Sequence, residues 1–284
     1  MIAIPKTSSL VALAAFGDQE KGIMKTLGVF PFGSPIHVVE QIHRGPKRVF
    51  VLGVYASAVH ARWIDPRGNT VAGALAIASE PYIFWRGDKA DDLVNAVVIP
   101  PALGTLVAAP QILNGPSGRS LNDDFLRPIG VSRSEAWLAD LVPHSCMNPH
   151  QENAIREHYE PLRKKHGLPL PSAPPVPEIL ADASRQEALL DELMKSRAEI
   201  LILLGDQPIR WFLNRWDPSR ERLGDFGTDA GSYGRLHNVS IGKRRIRVLP
   251  VVHPHQAARL GYYSRDWYVV HKEWCNRVAP QLLR

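Results

Sequence analysis

Cysteine is scarce in this sequence: Cys146 and Cys275 are the only two in 284 residues. A pair so far apart excludes a Cys-x-x-Cys zinc site or a four-cysteine iron–sulfur cluster built within the chain. The low thiol content fits a reducing, cytoplasmic setting. Long apolar runs are missing as well. No stretch reaches ~18 uninterrupted apolar residues, so no membrane span is expected. The apolar segment Ser8–Phe16 is too short for one and runs straight into Gly17-Asp18-Gln19-Glu20-Lys21, so it reads as a core element or strand rather than an export signal. Neither a Gly-x-Ser-x-Gly nucleophile elbow nor a Gly-x-x-x-x-Gly-Lys phosphate loop occurs, which argues against an α/β hydrolase or a phosphate-loop enzyme. Cys/His spacing for a zinc deaminase is absent too, and no cofactor or metal is expected.

What is present is a globular composition. Hydrophobic residues make up 45% of the chain, enough for a sizeable buried core. Lys and Arg outnumber Asp and Glu 34 to 28, and the formal charge of +6 is compatible with a polyanionic partner such as DNA. Four short, nearly continuous apolar runs read as buried parallel strands: Arg48–Gly53, Ala136–Val142, Ile200–Gly205 and Ile246–Val252. Polar and small residues collect where each run ends, at Gly53-Val54-Tyr55-Ala56-Ser57, Pro143-His144-Ser145, Gly205-Asp206-Gln207-Pro208 and His253-Pro254-His255. That carboxyl edge is where ligands bind in an open parallel sheet. Helical patterns cover Asn153–His166 and Ser184–Ser196, the second with Ala188, Leu189, Leu190 and Leu193 opposite Glu187, Asp191 and Glu192. Five prolines in Pro169–Pro177 make an extended loop. The expectation is a single α/β domain spanning 1–284, a three-layer α/β/α sandwich around a mainly parallel four-stranded sheet, with an insertion at about 65–113. It is expected to be a monomer.

Two motifs suggest chemistry. Val252-His253-Pro254-His255-Gln256-Ala257-Ala258-Arg259 places a histidine at the end of a buried strand, fixed by a proline and followed by a basic turn. Gly53–Ser57 carries a glycine as the chain leaves a strand, which marks a tight turn or a pocket wall. Taken in order, these segments resemble the uracil-DNA glycosylase superfamily. Its first strand ends in a Gly-x-[Asp/Asn/Ala]-Pro-[Tyr/Gly] loop and its last in His-Pro-Ser or Asn-Pro-Ser. Gly115-Pro116-Ser117-Gly118-Arg119-Ser120-Leu121, then Phe125–Arg133, then Ala136–Pro143 is similar to its glycine turn, helix and second strand.

The resemblance implies a flipped base held by stacking and edge hydrogen bonds, with a strand-end histidine stabilising the base as the glycosidic bond breaks. His253 takes that role by position. Arg119, His255, Gln256 and Arg259 are expected to contact DNA, with Arg62, near His60 and Trp63, at the entrance. Phe84 and Trp85 are candidates for stacking on the base, with core packing as the alternative for either. Departures from the pattern redirect the substrate. Tyr55 stands where the superfamily's water-activating aspartate is expected, and Ser57 replaces the aromatic residue that walls the pocket beside C5. Asp140 stands in place of an asparagine that reads uracil. An ionised carboxylate only accepts hydrogen bonds, so it suits the N4 amino group of cytosine better than the O4 of uracil. A role in water activation or as a strand-end cap stays open for Asp140.

The expected activity is excision of a cytosine bearing a bulky C5 group, leaving an abasic site. Hydroxymethylated and glucosylated cytosines of this kind occur in some bacterial viruses, which points to antiviral defence. A uracil-excising repair enzyme and a catalytically inactive nucleic-acid-binding protein are the competing readings.

Overall fold

The computed structural model describes residues 26–41, 45–229, 231–259 and 264–283; Ser8–Phe16 lies outside them. A short hairpin opens the described chain, with β1 (Gly28–Val29) antiparallel to β2 (Pro35–Ile36). The first apolar run becomes β3 (Val49–Tyr55), whose first five residues are all buried. After it come β4 (Ala58–Ile64), β5 (Thr70–Ser79) and β6 (Thr105–Ala108), with helix α1 (Ala90–Asn95) between the last two. Helix α2 (Pro116–Ser120) runs on as a π-helical turn at Leu121–Leu126 and leads to β7 (Ala136–Val142), buried at every position.

The second half alternates helix and strand. Helices α3 (Pro149–Ala154) and α4 (Glu160–His166) flank a π-helical stretch. The proline-rich segment then crosses without regular structure, and α5 (Ala183–Ser196) follows, with Asp182 capping its N-terminus. Then come β8 (Ile200–Leu204), α6 (Asp206–Trp211), β9 (His237–Ile241), β10 (Arg244–Val251), α7 (Pro254–Ala257) and α8 (Ser264–Arg277).

The main sheet has five strands in the order β7-β3-β8-β10-β9. The four apolar runs supply its parallel part, in register Val49↔Ala136, Val49↔Ile200 and Arg247↔Ile200. The expectation of four strands falls short by one, because β9 adds antiparallel to β10. Its half-exposed alternation is that of an edge strand, which a search for continuous apolar runs passes over. The chain leaves β3 for β7 on one side and later returns to β8 on the other, so β3 sits at a topological switch point, where its carboxyl end opens a crevice.

A second sheet, antiparallel in the order β5-β4-β6, occupies the region expected as an insertion and begins before it, at Ala58. It has its own core around Trp63, Leu75, Ile77, Trp85 and Tyr159. Among the described residues no helix is long and apolar enough to cross a membrane.

Candidate active site

The parallel register sets Gly53 of β3 directly beside Asp140 of β7. A Cβ at Gly53 would lie 2.3 Å from Asp140 Oδ1 and 2.6 Å from Phe84 Cζ, so only glycine lets the carboxyl and the ring meet over the strand end. Phe84 is delivered from the second sheet, on the turn after β5. Its φ of 55° lies in the left-handed region, an uncommon conformation for an aromatic residue, and Arg133 holds it by donating to the carbonyls of Ile83 and Phe84 at 2.7 Å each. From the other side Gly118 of α2 packs on the Phe84 and Trp85 carbonyls, with no space for a side chain.

Asp140 is 2% exposed, and no described group hydrogen-bonds its carboxyl oxygens. Burial raises its pKa to about 7, with Arg185 opposing the rise and Glu192 adding to it. Arg185 lies behind the strand, donating to the Asp140 backbone carbonyl at 2.6 Å.

His253 follows the end of β10 and caps α7. The His255 N–H donates to its Nδ1 at 3.2 Å, which places the imidazole proton on Nε2. Burial and the neighbouring His255 push its pKa down to about 3, so the ring is neutral at physiological pH. No described residue hydrogen-bonds Nε2, leaving that N–H to a ligand. Gln256 folds back, its Oε1 accepting from the His253 N–H at 3.2 Å. The preceding residue is fixed too: Val252 N–H donates to Tyr233 Oη at 3.1 Å, the Tyr233 hydroxyl donates to His271 Nδ1 at 2.7 Å, and His271 Nε2–H donates to the Asp124 carbonyl at 2.9 Å. This chain ties β10 to the π-helical turn after α2. Ser120, at the end of α2, also contacts the Pro254 carbonyl at 3.5 Å. Helix α2 therefore braces the Phe84 turn and the His253 turn together.

The structure separates the remaining expected residues. Trp85 turns into the second core at 1% exposure, its indole donating to the Asp88 carbonyl at 3.0 Å, so of the two adjacent aromatics only Phe84 faces Gly53. The Arg119 guanidinium is occupied by the carbonyls of Arg86, Asn114 and Gln111, which makes it a brace for the loop after β6 rather than an exposed phosphate contact. Arg62 is exposed on β4 opposite Val107. Trp63 is buried in the second core, where its indole donates to Leu103. Arg259 is exposed, its guanidinium 3.9 Å from the centre of the Tyr268 ring, and His255 lies edge-on to His253. The Ser57 carbonyl accepts from the Ser145 hydroxyl, tying the first loop to the segment after β7. Tyr55 stands at the rim, 41% exposed. Burial and Cys146 raise the pKa of its phenol, so it can orient a water but not deprotonate one at neutral pH.

One buried residue was missed. Glu80 is 2% exposed, and its pKa is pushed well above the usual carboxylate range by burial and then by the Asp140 charge. The backbone amides of Ser57 and Trp85 and the Arg133 guanidinium act against the rise. A signal was present: Glu80 is the only charged residue between Arg67 and Arg86. Tyr233, His271 and Arg133 carried no comparable mark.

Two open cavities, of about 540 and 380 Å³, lie elsewhere, one around Arg235 and Arg277 and the other around Arg48 and Arg247 at the amino ends of the strands. Neither includes a residue of the Gly53, Asp140 and Phe84 group, so here chemistry, not volume, locates the site. Among the described residues no cluster of His, Cys, Asp and Glu could hold a metal ion. No protein-family model matches the chain, and no curated protein matches it.

Proposed function

We propose that this chain is a DNA glycosylase of the uracil-DNA glycosylase type, which flips out a modified pyrimidine, a cytosine with a bulky C5 substituent, and cleaves its glycosidic bond to leave an abasic site. The observation that carries this reading is the convergence of Phe84 and Asp140 over Gly53, on the same sheet edge as a neutral His253 with a free Nε2–H. Gly53 lies near the carboxyl end of β3 and His253 just past that of β10, two strands away in the same sheet. The finer fold assignment, three layers with helices on both faces of the sheet, belongs to the same proposal.

Each group has a task in this reading. Phe84 stacks on the flipped base, and the Asp140 carboxylate accepts from an exocyclic amino group. As the bond from C1′ to N1 breaks, negative charge grows on the base. The His253 Nε2–H donates to O2 and stabilises that charge without carrying a charge itself. Tyr55 orients the attacking water at the rim. Ser57 leaves the side of the ring open, where an aromatic residue would exclude a C5 substituent.

Single-turnover abasic-site detection on duplexes carrying uracil, cytosine, 5-hydroxymethylcytosine or its glucosylated form tests the proposal. The expected order puts the bulky C5 derivatives first. Uracil as the preferred base would assign the site to uracil repair, and binding without cleavage of any of the four would make the chain a binding protein.

A further inference from the structure

The smaller open cavity, of about 380 Å³, has no part in the proposed mechanism. It lies where Val49, Ile200 and Arg247 stand side by side at the amino ends of the parallel strands, on the sheet edge opposite to Asp140 and His253. That register gathers four cations on its walls: Lys47 and Arg48 from the entry to β3, Arg197 from the end of α5 and Arg247 from β10. Two carboxylates lie near them, and they do not neutralise the group. Glu199 and Glu135 approach Arg247 and Arg48 only to 3.6 Å, in exposed pairs, and Glu135 already accepts from the Ser132 amide and hydroxyl. Among the described residues no carboxylate pairs with Lys47 or Arg197.

Two features set these cations apart from a solvated surface. Lys47 Nζ donates to the Ser134 carbonyl at 2.7 Å and the Arg48 guanidinium to the Gly130 carbonyl at 3.0 Å, so both heads are held in place with donors to spare. A side chain fixed in this way loses little freedom when an anion arrives. Arg197 is the left-handed residue that ends α5, at φ 54°, where glycine is the usual choice. The negative end of that helix does not require its charge, because Arg244 already donates to the Arg197 and Ala198 carbonyls. An arginine kept in a glycine position, on a wall shared with three other cations, points to a use for its side chain.

Independently of the glycosylase reading, we propose that this cavity binds a ligand carrying two or more phosphate groups. Guanidinium forks pair with phosphate oxygens two at a time, and the Lys47 ammonium adds a point charge. The lining includes no aromatic ring on which a base could stack, so the phosphates themselves are what is recognised. A free polyphosphate and a nucleic-acid backbone both present that chemistry.

Calorimetric titration with inorganic tripolyphosphate and fluorescence anisotropy with a labelled oligothymidylate test the site and separate the two sources. Arg197→Gly is the first variant, because it removes a charge while suiting the left-handed backbone. Arg48→Gln combined with Arg247→Gln is the second, and Lys164→Gln, exposed on α4, is the control. Tripolyphosphate affinity is expected to fall roughly 10-fold in the first and roughly 100-fold in the second, with the control unchanged. Oligothymidylate affinity that falls with the same variants, its salt slope dropping by about 0.7 per cation removed, assigns the site to a nucleic-acid backbone. Unchanged oligothymidylate affinity beside weakened tripolyphosphate binding assigns it to a free polyphosphate. Thermal unfolding verifies that each variant is folded. Binding of neither probe by the wild type would overturn the proposal. So would variants that bind each probe as tightly as wild type, or an equal loss in the control, which would reduce the effect to net charge.

Discussion

Asp140→Asn separates the chemistry of the site from its cost to the fold. The substitution keeps the shape and removes a titratable group that the folded state holds at a pKa of about 7 against an ordinary 3.8. At about 1.4 kcal/mol per pH unit, that displacement costs the native state on the order of 4 kcal/mol once the group is ionised. The sign follows from proton counting. Between pH ~4 and ~7 the folded chain holds the Asp140 proton more tightly than the unfolded chain does, so this group's contribution to stability falls as pH rises through that window and is at its worst above 7. An asparagine has no such dependence. Urea unfolding of both proteins at pH 5 and pH 8 should show the variant gaining on wild type by about 2 to 3 kcal/mol between the two. A stability difference that stays constant with pH would refute the argument, because it would mean that Asp140 is solvated or paired in the folded state. The introduced amide can donate to O4 and accept from N3–H, so the same variant should shift excision toward uracil.

Three further outcomes follow from named contacts. His253→Ala should lower single-turnover excision by about 10² to 10³, the usual loss for one donor to a developing anion, with near-native thermal unfolding; full activity would refute the mechanism. Gly53→Ala puts a methyl 2.3 Å from Asp140 Oδ1 and 2.6 Å from the Phe84 ring, so it should cost roughly 1 to 3 kcal/mol in denaturant unfolding and displace Phe84. A tolerated alanine with wild-type rate would show that the crevice is looser than described. Tyr233→Phe removes the hydroxyl between Val252 and His271 and should destabilise the protein by about 1 to 3 kcal/mol while slowing excision, since the backbone ahead of His253 loses its anchor. Hydrogen exchange at the Val252 amide reads that loss directly.

The parallel part of the main sheet was legible because burial on both faces writes a strand as a continuous apolar run, and the changes at Gly53, Pro143, Gly205 and His253 marked where each run stops. The smaller sheet was not. Ala72, Ala76 and Gly73 in β5 are too small to set a clear alternation, and β9 is an edge strand with only Val239 and Ile241 buried. Phe84 and Trp85 show a limit of another kind: adjacent aromatics serve different cores, and only the left-handed turn at Phe84 decides which faces the crevice. Polar side chains that bond to nearby backbone carry no mark of it in the sequence. Gln256 caps His253 and Arg119 braces three carbonyls, and both read in sequence as outward-facing. Glu80 stood out as an isolated charge, but nothing in the sequence marked it as buried.

Contact between the two sheets divides the crevice by origin. Gly53, Asp140 and His253 are supplied by the parallel sheet, whereas Phe84 and Glu80 come from the small antiparallel one, with Gly118 and Ser120 of α2 packed between the two turns. The Phe84 ring packs in the core of the parallel sheet while its backbone follows the small one, so any shift of one sheet against the other is felt directly at the crevice.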